Sequence, residues 1–174
     1  MNDVVQYAEH VPARFAIANK LLSLRGRMFV KDGEHSVASV WREMMSWRET
    51  WHVETSASRI RLRRKLLAWL PVWLVDGDLG AFTVRRRFAM RRHYVVCGGP
   101  FDGALLSGNW IDLKLDISFD DSVIARSSGR VLTLRDYHEV ELLEQTPQAF
   151  ALVVTSLVLV LADRSREAAA RHED

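Results

Sequence analysis

The sequence predicts a mainly β domain in which an antiparallel sheet closes around one apolar C-terminal helix. Two observations carry this prediction. Short alternating segments separated by turn residues fill the chain before Thr146, and a continuous apolar run follows at residues 149–162. A length of 174 residues suits one domain and provides enough chain to bury a core without a disulfide or a metal. The single cysteine, Cys97, excludes an internal disulfide and favours a cytoplasmic setting.

Period-two alternation marks the strands. Apolar residues occupy every second position in the segment 113–119, and polar residues lie between them. Segments 59–63 and 139–142 show the same pattern, which is typical of a strand with one buried and one wet face. Turn signals recur between the strands, at Asp32-Gly33, Asp76-Gly77, Gly98-Gly99-Pro100, Asp120-Asp121-Ser122 and Ser128-Gly129. Many short strands with regular turns indicate a sandwich or a barrel.

An internal repeat favours the barrel. Lys20-Leu21-Leu22 recurs as Lys65-Leu66-Leu67, and the segments 30–33 and 40–42 recur at 74–77 and 84–86. The offset is about 44 residues, as expected if similar strand units follow one another around a sheet. Two copies are too few for a solenoid, and closure of the sheet removes its exposed edges.

The apolar run predicts a core helix. Thr146 and Pro147 are a favourable N-cap and first helical residue, and charged residues follow from Asp163 onward. Fourteen apolar residues span about 21 Å as a helix, less than the ~30 Å core of a bilayer. Since the run is apolar on every face, protein or lipid must surround it, and enclosure by the sheet is the solution we expect. A pair of buried strands and a membrane-inserting segment are the alternatives.

Charge is unevenly distributed along the chain. Residues 59–92 contain ten bases and two acids, a balance of +8, whereas residues 101–174 contain seven bases and thirteen acids, a balance of −6. Alternation places the arginines of segment 59–63 on one outer face, and likewise those of segment 85–87. A single patch forms if these two strands are neighbours. Guanidinium groups bind phosphate in bidentate fashion, so the patch suits lipid headgroups or a nucleic-acid backbone. Its predicted members are Arg59, Arg61, Arg63, Arg85, Arg87, Arg91 and Arg92. A merely solvated strand face is the alternative.

No motif indicates catalysis, a metal or a cofactor. The six histidines and Cys97 lack metal-ligand spacing, and no Gly-x-Ser-x-Gly or phosphate-binding glycine loop occurs. Asp116, Asp120 and Asp121 suggest calcium weakly, but a polar strand face followed by a turn explains them better. We therefore expect a non-enzymatic protein with no cofactor and no bound metal. The six tryptophans are expected in the barrel core or rim, and an aromatic rim at a lipid interface is the alternative.

Several segments together resemble the LURP-one-related family of the Tubby C-terminal-like superfamily. They are Lys20–Gly33, Ser107-Gly108-Asn109-Trp110, Val123-Ile124-Ala125 and the apolar helix that ends at Asp163. The resemblance spans residues 14–164 and implies a closed antiparallel barrel of about twelve strands around a buried C-terminal hydrophobic helix. It leaves residues 1–13 as an N-terminal extension and 165–174 as a charged tail. It carries over no catalytic residue.

The superfamily also suggests a function. Tubby domains bind phosphoinositide headgroups through basic residues, and the related phospholipid scramblases act at membranes. We therefore expect a cytoplasmic protein, or one peripheral at the membrane, that binds an anionic phospholipid surface through the arginine patch. A protein-docking scaffold with an acidic partner and a scramblase-like lipid-associated protein are the alternatives. Neither nucleic-acid binding nor a transmembrane span is expected.

Overall fold

The structure is a computed structural model that describes residues 11–18, 27–87, 93–109, 112, 114–131 and 137–171. It contains twelve strands and one helix among these residues. The strands are β1 (Arg14–Ala18), β2 (Arg27–Asp32), β3 (His35–Arg42), β4 (Thr50–Thr55), β5 (Arg59–Arg64), β6 (Val72–Gly77), β7 (Phe82–Arg87), β8 (His93–Cys97), β9 (Leu105–Asn109), β10 (Lys114–Phe119), β11 (Ser122–Val131) and β12 (Tyr137–Leu142). The helix is α1 (Pro147–Ala170).

The strands form one closed antiparallel barrel. Each strand pairs with the next along the chain, and β1 pairs with β12 from Arg14↔Glu141 to Ala18↔Tyr137. Because the first and last strands pair, the sheet has no free edge. The closed barrel of about twelve strands that the sequence and the resemblance predict is confirmed.

Helix α1 fills the interior of the barrel. Every residue from Ala149 to Asp163 is buried, so the sheet surrounds this segment on all sides. Thr146 is the N-cap, and its side-chain oxygen accepts a hydrogen bond from the Ala149 N–H at 3.1 Å. The helix thus begins where the sequence predicts and continues to Ala170, beyond its apolar run.

By length and composition α1 passes the criteria for a membrane span, but most of its apolar segment is buried in the barrel. The mean hydropathy of its most apolar 18-residue window is 1.5, and 83% of that window is enclosed by protein. An apolar helix needs a surrounding that is not water, and the sheet supplies one. The membrane-inserting alternative is therefore unnecessary to explain its composition.

Two backbone features define the tight turns. Asp120 and Asp121 both have positive φ, 48° and 60°, and form the two-residue connection between β10 and β11. Two consecutive positive φ angles match the right-handed twist of a hairpin, and Asp tolerates them. Gly77 meets the neighbouring strand so closely that a Cβ atom would lie 2.2 Å from the Arg59 carbonyl oxygen. A larger residue there would push β5 and β6 apart.

The antiparallel order places alternate connections at opposite ends of the barrel. The connections that follow β1, β3, β5 and β7 share one end. We define the rim as loops 43–49 and 65–71 together with Arg42 at the end of β3 and Arg85–Arg87 at the end of β7. Helix α1 begins at the opposite end and reaches the rim at Asp163, which contacts Trp73 near the start of β6. The rim therefore lies beside the exit of the helix.

A buried hydroxyl without a hydrogen-bond partner in the described chain, that of Thr155, predicts how a substitution changes the stability of the protein. The Thr155 hydroxyl lies mid-helix, fully buried, with no hydrogen-bond partner among the described residues. Such a group costs about 1–3 kcal/mol. Thr155→Val keeps the shape of the side chain and should raise the free energy of unfolding by about 1 kcal/mol in urea titration.

The same substitution at the N-cap is the matched control. Thr146→Val removes the bond to Ala149 and should lower the free energy of unfolding by about 1 kcal/mol. Equal destabilisation by both variants would contradict an unpartnered hydroxyl at Thr155.

Candidate functional site

The arginines of β5 point outward as the alternation predicts. Ile60 and Leu62 are buried in the core, whereas Arg59, Arg61 and Arg63 lie on the outer face of the strand. Their side chains are 83%, 47% and 38% exposed, so exposure falls along the strand toward the rim. This half of the predicted patch exists as a row of side chains.

Ion pairs compensate the charge of that row. The Arg59 Nε atom lies 2.8 Å from Glu54 Oε1, and Asp76 binds two arginines at once. Its Oδ1 atom lies 2.9 Å from Arg61 Nε and its Oδ2 atom 2.9 Å from an Arg63 Nη atom. Three bases thus face two acids, which lowers the attraction of the β5 face for an anion.

The two arginine-rich strands are not neighbours. Strand β6 lies between β5 and β7, because β5 pairs with β6 and β6 with β7. The condition for a single patch, adjacency of these two strands, is therefore not met, and one strand separates their arginines. Arg85 and Arg87 are exposed and form no ion pair with any described residue. Arg91 and Arg92 lie outside the described residues.

The uncompensated bases gather at the rim. Arg85 pairs in register with Val72, the residue that follows loop 65–71, and Arg87 ends its strand. Arg42, Arg48 and Lys65 are also exposed there, at the edges of the two loops. None of these three side chains forms an ion pair within the described chain, although Arg42 lies over the Trp51 ring at 6.0 Å. The rim thus exposes five unpaired cations.

The acids near these cations are engaged elsewhere. Glu49 is buried, with Oε2 at 2.7 Å from Arg166 Nε and Oε1 accepting a hydrogen bond from Trp51 Nε1 at 3.1 Å. Glu43 is half exposed and lies 3.6 Å from the His52 ring nitrogen. Glu167 binds Arg86 at 2.7 Å. The rim consequently has a net positive surface in its described part.

The rim also carries the large apolar side chains that the described barrel leaves in water. Trp47 and Trp69 expose 99% and 101% of their reference areas, and Met45 and Leu67 expose 94% and 98%. Met44 and Leu66 beside them are exposed as well. Leu143 is the one other large apolar residue of the described chain that is exposed, and it lies at the opposite end. Trp51 and Trp73, by contrast, are buried as the sequence predicts.

A cluster of buried polar groups holds α1 at the base of the rim. The Asp163 cluster consists of Asp163, Tyr94, Trp73 and Arg64. The Tyr94 hydroxyl and the Trp73 indole N–H donate to the two carboxylate oxygens of Asp163, the latter at 3.3 Å, and an Arg64 Nη atom lies 3.9 Å away. The cluster joins the helix to β5, β6 and β8 where the three strands meet the rim.

Burial sets the titration of the Asp163 cluster. It raises the pKa of Asp163 above its usual range, although the Tyr94 hydrogen bond, the Arg64 charge and the Trp73 hydrogen bond oppose the rise. Burial likewise raises the pKa of Tyr94, and the neighbouring carboxylate adds to that shift. The cluster is enclosed and involved in internal hydrogen bonds, so it acts as a structural contact rather than a reactive one.

Other candidate groups have structural partners. Asp116 binds Arg126 Nε at 2.8 Å, and Asp120 and Asp121 form the turn described above. Among the described residues no group of three or more His, Cys, Asp or Glu side chains converges as a metal site.

A groove of about 510 Å³ crosses the outer faces of β2 to β6. The Trp41 and His52 rings stack in it with centroids 5.1 Å apart, and the Arg27 guanidinium lies 5.8 Å from the centre of the Trp41 ring. Glu54 and Asp76 offset two of the three arginines that line the groove, so its net positive charge is smaller than that of the rim.

Comparison of the chain with protein-family models, with curated proteins and with solved structures found no match.

Removal of the Tyr94 hydroxyl tests the Asp163 cluster. Tyr94→Phe deletes a donor to a buried carboxylate and should lower the free energy of unfolding by about 2 kcal/mol at neutral pH. Because the folded pKa of Asp163 is raised, its carboxylate contributes stability that is present below about pH 4 and is lost as the pH rises through the folded pKa. Without the Tyr94 donor that loss of stability is greater. The difference in the free energy of unfolding between the wild-type protein and Tyr94→Phe should therefore become smaller as the pH falls. Urea titrations between pH 4 and pH 8 measure this difference.

Tyr137→Phe is the control, because Tyr137 is half-buried in β12 and does not belong to the Asp163 cluster. A Tyr94→Phe effect that is the same at every pH would contradict a bond to the ionised carboxylate.

Proposed function

We propose that this protein is a non-enzymatic barrel that docks on the surface of an anionic membrane with its rim. One observation carries the proposal: five unpaired cations and six exposed large apolar side chains lie together at one end of the described barrel. Cations near an anionic leaflet contribute about 1 kcal/mol each, and apolar side chains between them favour the same surface.

The filled barrel interior supports a surface function. Helix α1 occupies the space that a ligand or substrate would need, and its segment from Ala149 to Asp163 is buried. Binding therefore takes place on the outside of the barrel. There, the rim combines net charge with apolar exposure, whereas the β5 face combines arginines with acids at 2.8–2.9 Å.

The proposal keeps part of the predicted arginine site. Arg85 and Arg87 belong to the rim and remain candidate headgroup ligands, whereas Arg59 and Arg61 lie farther from it in ion pairs. Membership of the LURP-one-related family and a cytoplasmic, membrane-peripheral location remain proposals consistent with a twelve-stranded barrel. An acidic protein partner is the alternative for the same cations.

Nucleic acid is disfavoured as the anionic partner despite the exposed tryptophans. A single strand needs stacking faces along its path, and each tryptophan of the rim stands beside two aliphatic side chains instead. Aliphatic groups gain from an apolar phase rather than from stacked bases. The lipid surface therefore fits the composition of the rim better.

Flotation with vesicles tests the proposal. The protein should float with phosphatidylserine-containing vesicles at low salt, float less as salt is raised, and not float with pure phosphatidylcholine. Neutralisation by the double variant Arg85→Gln/Arg87→Gln should weaken binding about tenfold, from roughly 1 kcal/mol for each removed charge with partial screening.

The double variant Arg59→Gln/Arg61→Gln is the matched control, because it removes the same charge from the compensated face. Equal weakening by both pairs would assign binding to the whole outer face instead of the rim. The lipid proposal would be overturned if the protein did not float with any vesicle at any salt concentration and instead bound an acidic protein or single-stranded DNA.

A further inference from the structure

The two rim loops have the same length and the same closing contacts. In loop 43–49 the Glu43 N–H donates to the Thr50 carbonyl at 3.0 Å, and in loop 65–71 the Lys65 N–H donates to the Val72 carbonyl at 2.9 Å. Both loops therefore close six intervening residues with one backbone hydrogen bond. Their residue-by-residue pattern of turns and bends is also the same.

The loops present equivalent side chains at equivalent positions. Met44-Met45-Ser46-Trp47 in the first loop matches Leu66-Leu67-Ala68-Trp69 in the second, 22 residues later. Each tetrapeptide reads large apolar, large apolar, small, Trp. The exposures match as well: 94% and 98% for the second member, and 99% and 101% for the tryptophan. Two loops thus display one apolar motif, which we call the tip motif.

The tip motifs have no packing role in the isolated barrel. Their apolar side chains project into water, whereas the residues that follow each loop, Trp51 and Trp73, are buried. A soluble protein rarely exposes large apolar residues in a cluster unless a partner covers them. Because large apolar side chains are exposed at the same positions of both loops, we interpret them as one functional feature and not as isolated surface residues.

The surroundings of the motifs identify the partner. Arg48 follows one tip tryptophan and Lys65 precedes the other motif, while Arg42, Arg85 and Arg87 lie around them. This arrangement of tryptophan with aliphatic residues in front of a row of cations matches the layers of an anionic leaflet, in which acyl chains lie beneath charged headgroups. A second copy would bring the same cations face to face, and like charges repel.

We infer that the two tip motifs insert side by side into the acyl-chain boundary of an anionic membrane and set the depth and orientation of the docked barrel. The inference rests on the proposed membrane function and adds to it an apolar anchor. The long axis of α1 then points toward the bilayer, since the helix reaches the rim at Asp163. A similar tetrapeptide with leucine in place of tryptophan, Leu21-Leu22-Ser23-Leu24, occurs in the sequence outside the described residues.

Quenching of tryptophan fluorescence by brominated acyl chains tests insertion. Phosphatidylserine/phosphatidylcholine vesicles with bromines on the acyl chain should quench the protein and shift its emission to the blue. Trp47→Phe/Trp69→Phe should abolish most of the quenching, because Trp51 and Trp73 stay in the barrel core. Unchanged quenching in that double variant would overturn the inference.

Affinity measurements separate the anchor from the charges. Met45→Ser/Leu67→Ser should weaken vesicle binding at least tenfold and leave the urea midpoint unchanged, because both side chains are exposed. Leu143→Ser is the matched control at the opposite end and should not alter binding.

The outcomes distinguish the inference from the proposed function. Salt-sensitive vesicle binding without quenching, and with no effect of Met45→Ser/Leu67→Ser, would overturn tip insertion while leaving electrostatic docking in place. Absence of vesicle binding would overturn both. If sedimentation instead showed self-association without quenching, and Trp47→Phe/Trp69→Phe abolished that self-association, the tip motifs would be assigned to contacts between copies of the chain.

Discussion

The enclosure of an apolar helix by the sheet is the constraint on which the rest of the structure depends. The segment from Ala149 to Asp163 has no wet face, and every backbone group of the surrounding strands needs a partner. Pairing of β1 with β12 meets both requirements at once. In the described part of the barrel the helix occupies the interior. The outer faces and the two ends are therefore the surfaces on which we propose recognition.

The end at which the helix leaves the barrel is where buried charge and exposed apolar residues meet. Asp163 receives donors from Tyr94 and Trp73, and Arg166 one helical turn later holds Glu49, the last residue of loop 43–49. These contacts fix the bases of the strands and leave the loop tips free of the core. The rim consequently presents its tip motifs from a rigid base, which favours a defined orientation over loose adhesion.

Much of the fold could be predicted from the sequence, because local chemistry determines it. Thr146 and Pro147 mark the helix start, alternation marks the strands, and an apolar helix without a wet face demands closure. The patch could be predicted only in part. Alternation places Arg59 and Arg61 on an outer face, but their neutralisation by Glu54 and Asp76 depends on strand register, which no local pattern encodes. A single patch also required β5 and β7 to be adjacent, but each strand pairs with the next along the chain, so β6 lies between them.

The repeat of about 44 residues in the sequence reflects only part of the similarity between the rim loops. The recurrence of Lys20-Leu21-Leu22 at Lys65-Leu66-Leu67 spans two units of about 22 residues, and Met44-Met45 falls halfway between them. Because methionine replaces leucine there, the middle copy is less visible. Composition alone also does not separate the core tryptophans, Trp51 and Trp73, from the exposed ones. The distinction arises from whether a tryptophan lies in a strand or in the loop before it.

Depth measurements with spin labels distinguish docking through the rim from docking through another face of the barrel. Labels are placed on single cysteines that replace Ser46 or Ala68 in the tip motifs, or Glu34 in the turn at the opposite end, all with Cys97→Ser. On anionic vesicles the account predicts that the tip labels gain collisions with oxygen and lose collisions with a water-soluble nickel complex, while the label at position 34 stays in water. Equal exposure of all three labels to nickel, in protein that is bound to the vesicles, would contradict docking through the rim.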